Sequence, residues 1–168
     1  MNPEIIADYV LSRYSGKWGI SNLELLDILY FISLAYYKET KESLYDEPFL
    51  ICGFGCILES IYLKYRNYGA NSIDRPEETP IIEPKLTKLI YKVMNKISPF
   101  NYWQLKGFIM RDGGVWKTYY RKDRKENIPV CAIEPDLIFF EELEIIKKRA
   151  LELKELQNND KEIAKLWL

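Results

Sequence analysis

Apolar side chains recur at helical spacing along most of the chain, and the polar positions, glycines and prolines between them mark where each helix ends. From Pro3 to about Tyr14, Ile5, Ile6, Tyr9 and Val10 predict a first short helix, with Gly16 to Gly19 supplying a stop around Trp18. Ser21 with Glu24 three residues later forms a capping box and opens a helix to about Glu39. Leu25, Ile28, Leu29, Ile32 and Tyr36 make its apolar stripe, widened by Leu26, Tyr30, Phe31 and Leu34, so it is expected to be buried on most sides. Ser43 to Cys52, with Pro48 inside, fits either a brief helical turn or an extended connector. Gly53 and Gly55 bracket Phe54, and a third helix is expected from about Cys56 to Tyr68, with Gly69 just past its end.

Asn71 to Pro84, broken by Pro76, Pro80 and Pro84, reads as an exposed linker within one domain. The helical pattern resumes over Lys85 to Ile97. Asn101 with Gln104 offers a second capping box, and the helix it opens carries Leu105, Phe108 and Ile109 before the Asp112-Gly113-Gly114 turn. A helical turn is expected at Trp116, then a loop or short strand over Ile128 to Ile133. Pro135 sits just inside a last long helix from Asp136, where Leu137, Phe140, Leu143, Ile146, Ala150, Leu153 and Leu156 keep a three-to-four rhythm. The predicted fold is all-α or mainly α: a compact single-domain helical bundle over residues 1–140, with a C-terminal helical extension over 141–168. That extension fits either packing back onto the core or pairing with another subunit or partner.

Composition narrows the function. The 168 residues suit one domain. Histidine is absent, which removes imidazole-based acid–base catalysis, His-containing triads and imidazole metal sites. Cys52 and Cys56 stand four apart, but glycines separate them, and with Cys131 they leave a zinc site one ligand short. Gly53-Phe54-Gly55 lacks the Gly-Lys-Ser/Thr of a phosphate-binding loop. The adjacent carboxylates Asp46-Glu47, Glu77-Glu78 and Glu141-Glu142 are expected to be solvated. No catalytic residue, cofactor or metal is expected, and the chain reads as a non-enzyme. An odd number of cysteines and an acidic N-terminus unlike a signal peptide point to the cytoplasm. The longest apolar stretch, Leu25 to Tyr37, is shorter than the roughly 20 residues of a membrane span.

Net charge is -1, but unevenly spread. Residues 1–60 carry 4 basic and 9 acidic side chains, residues 61–125 carry 14 and 6, and residues 126–168 carry 6 and 10. The densest basic run, Lys117, Arg121, Lys122, Arg124 and Lys125, is interleaved with Trp116, Tyr119 and Tyr120. It fits a phosphate-clamping, base-stacking surface or a solvated loop flank.

Several of these stretches together resemble the Panacea, or SocA-like, domain, over roughly residues 4–142. Leu25-Leu26-Asp27-Ile28-Leu29-Tyr30-Phe31 resembles the family's "KLLYF" helix. Asp46 to Phe49 and Phe54-Gly55-Cys56-Ile57 fall on its "AW-x-YGPV" segment, Tyr62 on the tyrosine that follows, and Tyr65, Tyr68-Gly69 and Ile73 on its "Y-x-x-Y-G…I" tail. Leu105, Phe108 and Trp116 resemble the "eLs-x-l-t-H…pW" stretch, and Ile133 to Phe140 the closing helix. The chain departs at Cys52 for the family's tryptophan, Cys56 for its proline and Met110 for its histidine, so any activity served by that histidine is not shared.

The resemblance implies an antitoxin from a prophage or mobile element that neutralises a protein toxin by direct binding; a homodimer is a further partner that the rhythm of the C-terminal extension, outside the resemblance, allows. It assigns structural roles to Leu29, Tyr30, Gly55, Tyr68 and Gly69. The residues expected to meet a partner are Trp18, Phe54, Tyr62, Trp116, Tyr119, Arg121, Lys122, Arg124 and Lys125. Nucleic acid, held by the 116–125 segment, is the second choice of partner, an enzyme with a carboxylate site the third reading, and no membrane is expected.

Overall fold

In the computed structural model, which describes residues 1–121, 125–128, 133–138 and 140–143, the helix-capping residues stand where the sequence puts them. Helix α1 spans Pro3–Trp18, with Asn2 accepting the Glu4 N–H at its start. It runs past the expected stop because Gly16 is exposed, with no atom near the place of a Cβ, and a helix tolerates such a glycine. The chain turns instead at Gly19, left-handed at φ 62, whose N–H donates to the Ser15 carbonyl. Trp18 therefore ends a helix rather than occupying a loop.

Helix α2, Asn22–Thr40, opens on Ser21, whose backbone N–H and hydroxyl both donate to the Glu24 carboxylate, at 2.9 and 2.6 Å. Twelve of its residues are buried, and it is the axis of the domain, packing against α1, α3 (Glu59–Tyr65), α4 (Pro84–Ile97), α5 (Tyr102–Ile109) and a strand. Each Leu, Ile or Phe fully buried along it contributes about 1.5–3 kcal/mol. A short helix α6, Val115–Tyr119, follows the Gly113-Gly114 turn.

A small antiparallel sheet interrupts the helices. Strands β1 (Leu50–Cys52) and β2 (Gly55–Ile57) form a hairpin with Ile51 opposite Cys56, and β3 (Glu126–Asn127) pairs on the other edge of β1. The extended alternative for residues up to Cys52 thus holds, while Cys56 and Ile57 are strand, not helix. The expected third helix starts only at Glu59 and tightens into a 3-10 turn over Arg66–Tyr68 before Gly69 at φ 57. Within 71–84, Ile73 is buried and its N–H donates to the Ile20 carbonyl, so the exposed linker is pinned at one point.

Residues 134–138 and 140–143 are helical and lie against the same core: Leu137, Phe140 and Leu143 are buried, and Phe140 stacks on Phe31 at 5.6 Å. Asp136, buried, accepts from the Tyr30 hydroxyl (2.7 Å), the Arg111 guanidinium (2.8 Å) and the Val115 N–H (2.9 Å). The rest of the expected extension, with Ile146, Ala150, Leu153 and Leu156, lies outside the described residues, as do Cys131 and most of Ile128 to Ile133. The described chain is thus a mainly α-helical single domain with minor β content. No helix among the described residues is long and apolar enough to cross a membrane.

Candidate functional site

The hairpin projects Phe54 at its tip, 49 % exposed. Gly53 and Phe54 form the two-residue turn between Cys52 and Gly55, and Gly55 takes φ 116, a conformation side chains rarely adopt. Two aromatic pairs grip this turn. Tyr62 of α3 stacks on Phe54, with ring centroids 5.7 Å apart and planes 22° apart. Trp116 of α6 donates its indole N–H to the Cys52 carbonyl (2.9 Å) and stacks on Tyr120 at 4.5 Å. The Tyr120 hydroxyl closes against Gly53, 3.8 Å from where a Cβ would stand.

Below the tip lies a buried charge pair that sequence reasoning missed. The Lys106 ammonium of α5 donates to Asp27 Oδ1 of α2 (2.5 Å) and to the Phe54 carbonyl (2.7 Å). The two side chains are only 9 % and 2 % exposed. The hairpin tip is thus held by an ammonium that is itself fixed by a carboxylate of the central helix. Burial pushes the Asp27 carboxyl up to about 7, outweighing the nearby Lys106 charge that pulls it down. Burial likewise raises the Cys56 thiol well above its ordinary range, leaving a packed, unreactive sulfur. The signal for the pair was present: a charged residue inside a helix apolar on nearly every side needs a partner, and Lys106 lies between Leu105 and Ile109 on a short helix.

Of the residues expected to meet a partner, Phe54, Tyr62, Trp116 and Lys125 converge on the hairpin. Lys125 reaches Glu59 at the start of α3, 2.6 Å away. Tyr119 is half-buried against the core. Arg121 is exposed and donates to the Thr118 and Tyr120 carbonyls, Lys117 stands 3.6 Å from Asp112, and Lys122 and Arg124 lie outside the described residues. Trp18 is not at the hairpin; it packs on Tyr14 and lines a cavity beside α5. Trp103, on the helix opened by the second capping box, is 77 % exposed.

The residues given structural roles divide. Leu29 and Tyr30 are wholly buried, Gly55 is enclosed, and Tyr68 is half-buried with its hydroxyl on Asp74. Gly69 is exposed. Five of the six adjacent carboxylates are exposed as expected, and Glu47 is half-buried. Glu47 accepts the Ser60 N–H at the start of α3, and Glu141 pairs with Lys38. Among the described residues, no group of three or more carboxylates and thiols is placed to hold a metal ion. Compared with family models, with curated proteins and with solved structures, the chain matches none.

Proposed function

We propose that this chain is a non-enzymatic protein-binding module, an antitoxin acting in the cytoplasm that neutralises a cognate protein toxin by direct contact through the hairpin tip. The observation that carries the reading is Phe54, a large apolar side chain left half in solvent while its backbone is locked by the Lys106 ammonium and its ring by Tyr62. A rigid exposed aromatic with aromatic neighbours has little conformational freedom left to lose on binding, which is what an interface anchor needs. The antitoxin class itself comes from the Panacea-like residues, and a chain lacking histidine suits a role that asks for shape rather than catalysis. Co-expression with the small open reading frame adjacent to its gene tests the reading. Growth is restored if that product is the toxin; failure of rescue with no copurifying protein overturns the proposal.

Nucleic-acid binding is the second reading, and one observation favours it at a place other than the 116–125 segment. A shallow groove between α1 and α4 is lined by Tyr9, Arg13, Tyr14, Lys88, Tyr91 and Lys92, with no acidic side chain in its wall. Cations interleaved with tyrosines suit a single strand, whose binding must weaken steeply with salt as counterions are released. Absence of a single-strand mobility shift at low salt removes this reading.

A further inference from the structure

The three tyrosines of the groove between α1 and α4 are not equivalent. Arg13 lies over the Tyr9 ring, 5.8 Å from its centroid, and Trp18 packs on the Tyr14 ring at 5.7 Å. Tyr91 is 61 % exposed, and among the described residues no ring or cation lies against it. One aromatic face is therefore open to a ligand, and it stands on α4 beside Lys88 and Lys92.

Charge around that face has one sign. Helix α4 carries Lys85, Lys88, Lys92 and Lys96 and no acidic side chain. Lys88 and Lys92 are one turn apart, with Cβ atoms about 5–6 Å from each other, a spacing at which like charges repel. Elsewhere on the surface Lys38, Lys64, Lys117 and Lys125 each have a carboxylate at ion-pair distance. Among the described residues Arg13, Lys88 and Lys92 have none, so an anion seated in the groove relieves a repulsion that the fold leaves standing. Burial and the nearby Tyr9 and Tyr91 phenols push the Tyr14 phenol up, which keeps it protonated and adds a donor for an anionic oxygen. The groove, about 660 Å³, has the size of a small-ligand site rather than of a long track.

We propose, resting on the nucleic-acid reading, that this groove recognises one unpaired nucleotide of a DNA or RNA strand, its base laid on the Tyr91 ring and the phosphates on either side of it held by Lys88 and Lys92 from α4 and by Arg13 from α1. Each part of the nucleotide thus has its own residue. An unpaired strand is selected over a duplex, because a base presents its face to Tyr91 only when it is out of its stack. The cations all meet phosphate and a ring accepts any base, so sequence preference is weak. An acidic peptide would satisfy the lysines and leave the Tyr91 face uncovered.

The test is fluorescence anisotropy of the full chain with labelled short homopolymers of thymidine (DNA) and uridine (RNA), a labelled duplex of the same length, and inorganic polyphosphate as a competitor without bases. Both single strands should bind saturably at low salt and more tightly than the duplex, and the tighter of the two identifies the source. Affinity should fall with salt at a logarithmic slope of about -2, the value for three cations on a single strand. Tyr91→Ala should weaken the strand by about fivefold or more, the scale of one stacked base, and Tyr91→Phe, which keeps the ring, should recover most of it. Lys88→Gln should reduce the slope by about 0.7. Both substituted side chains are exposed, and circular dichroism checks that the variants fold. Absence of strand binding overturns this site together with the nucleic-acid reading. Strand binding that Tyr91→Ala and Lys88→Gln leave unaltered overturns the site alone, as does a polyphosphate that competes as well as the strand itself.

Discussion

Two buried carboxylates do most of the residue-scale work, in opposite ways. Asp136 is fully paired, and replacing it by alanine removes the acceptor of the Tyr30 hydroxyl and the Val115 N–H and the carboxylate beside the Arg111 guanidinium. We predict a loss of about 3–5 kcal/mol in urea unfolding for Asp136→Ala, the cost of breaking a buried ion pair from one side. Asp27 instead sits where burial dominates. It faces Lys106 and Tyr102 from α5, Cys56 from β2 and Glu24 on its own helix. Its carboxyl titrates at about 7 when folded against 3.8 in the ordinary case, so the folded state holds the proton more tightly. The stability this contributes is fully present below 3.8 and is lost as pH rises through about 7. The unmodified chain should therefore lose stability relative to Asp27→Asn between about pH 4.5 and about pH 7.5. A difference that stays flat, or that grows in the other direction, would show a carboxylate held ionised by Lys106.

At the scale of elements, what the sequence made legible were the features encoded by neighbours. The Ser21–Glu24 and Asn101–Gln104 boxes each act within one turn. Consequently α2 and α5 start where they are predicted, while α4 starts one residue early because Pro84, expected to close the linker, is its first helical residue. The hairpin was not legible because strands of three residues are too short to show alternation, and because Cys56 and Ile57 continue a helical pattern into α3. Its hidden signal was the near-symmetry of Leu50-Ile51-Cys52 and Gly55-Cys56-Ile57 about Gly53-Phe54. The two glycines that flank these errors predict opposite outcomes. Gly16→Ala, in an exposed helical position with open space around it, should raise stability by about 0.5–1 kcal/mol. Gly55→Ala, at φ 116 with its new Cβ 3.1 Å from the Lys106 ammonium, should lower it by about 1–3 kcal/mol. Thermal melts of both, read side by side, check whether the hairpin geometry is as constrained as described.

For the whole molecule, the aromatic and basic residues chosen from the sequence were sorted by tertiary packing in a way no local pattern encodes. Trp116 is far in sequence from Phe54 and Tyr62, which lie eight residues apart, yet it joins them at the hairpin because Lys106 draws the hairpin onto α2 and α6 closes over Cys52. Trp18 looks equally exposed in sequence and ends in a cavity wall. The central claim is that this hairpin tip is a preorganised protein-binding anchor. The most direct measurement is calorimetric titration of the adjacent gene's product into the unmodified chain and into Phe54→Ala, with circular dichroism confirming equal folding. The account predicts that Phe54→Ala weakens binding by at least about 2 kcal/mol, the scale of an interface hot spot, with little change in stability. Binding unchanged by Phe54→Ala in a folded protein would contradict it.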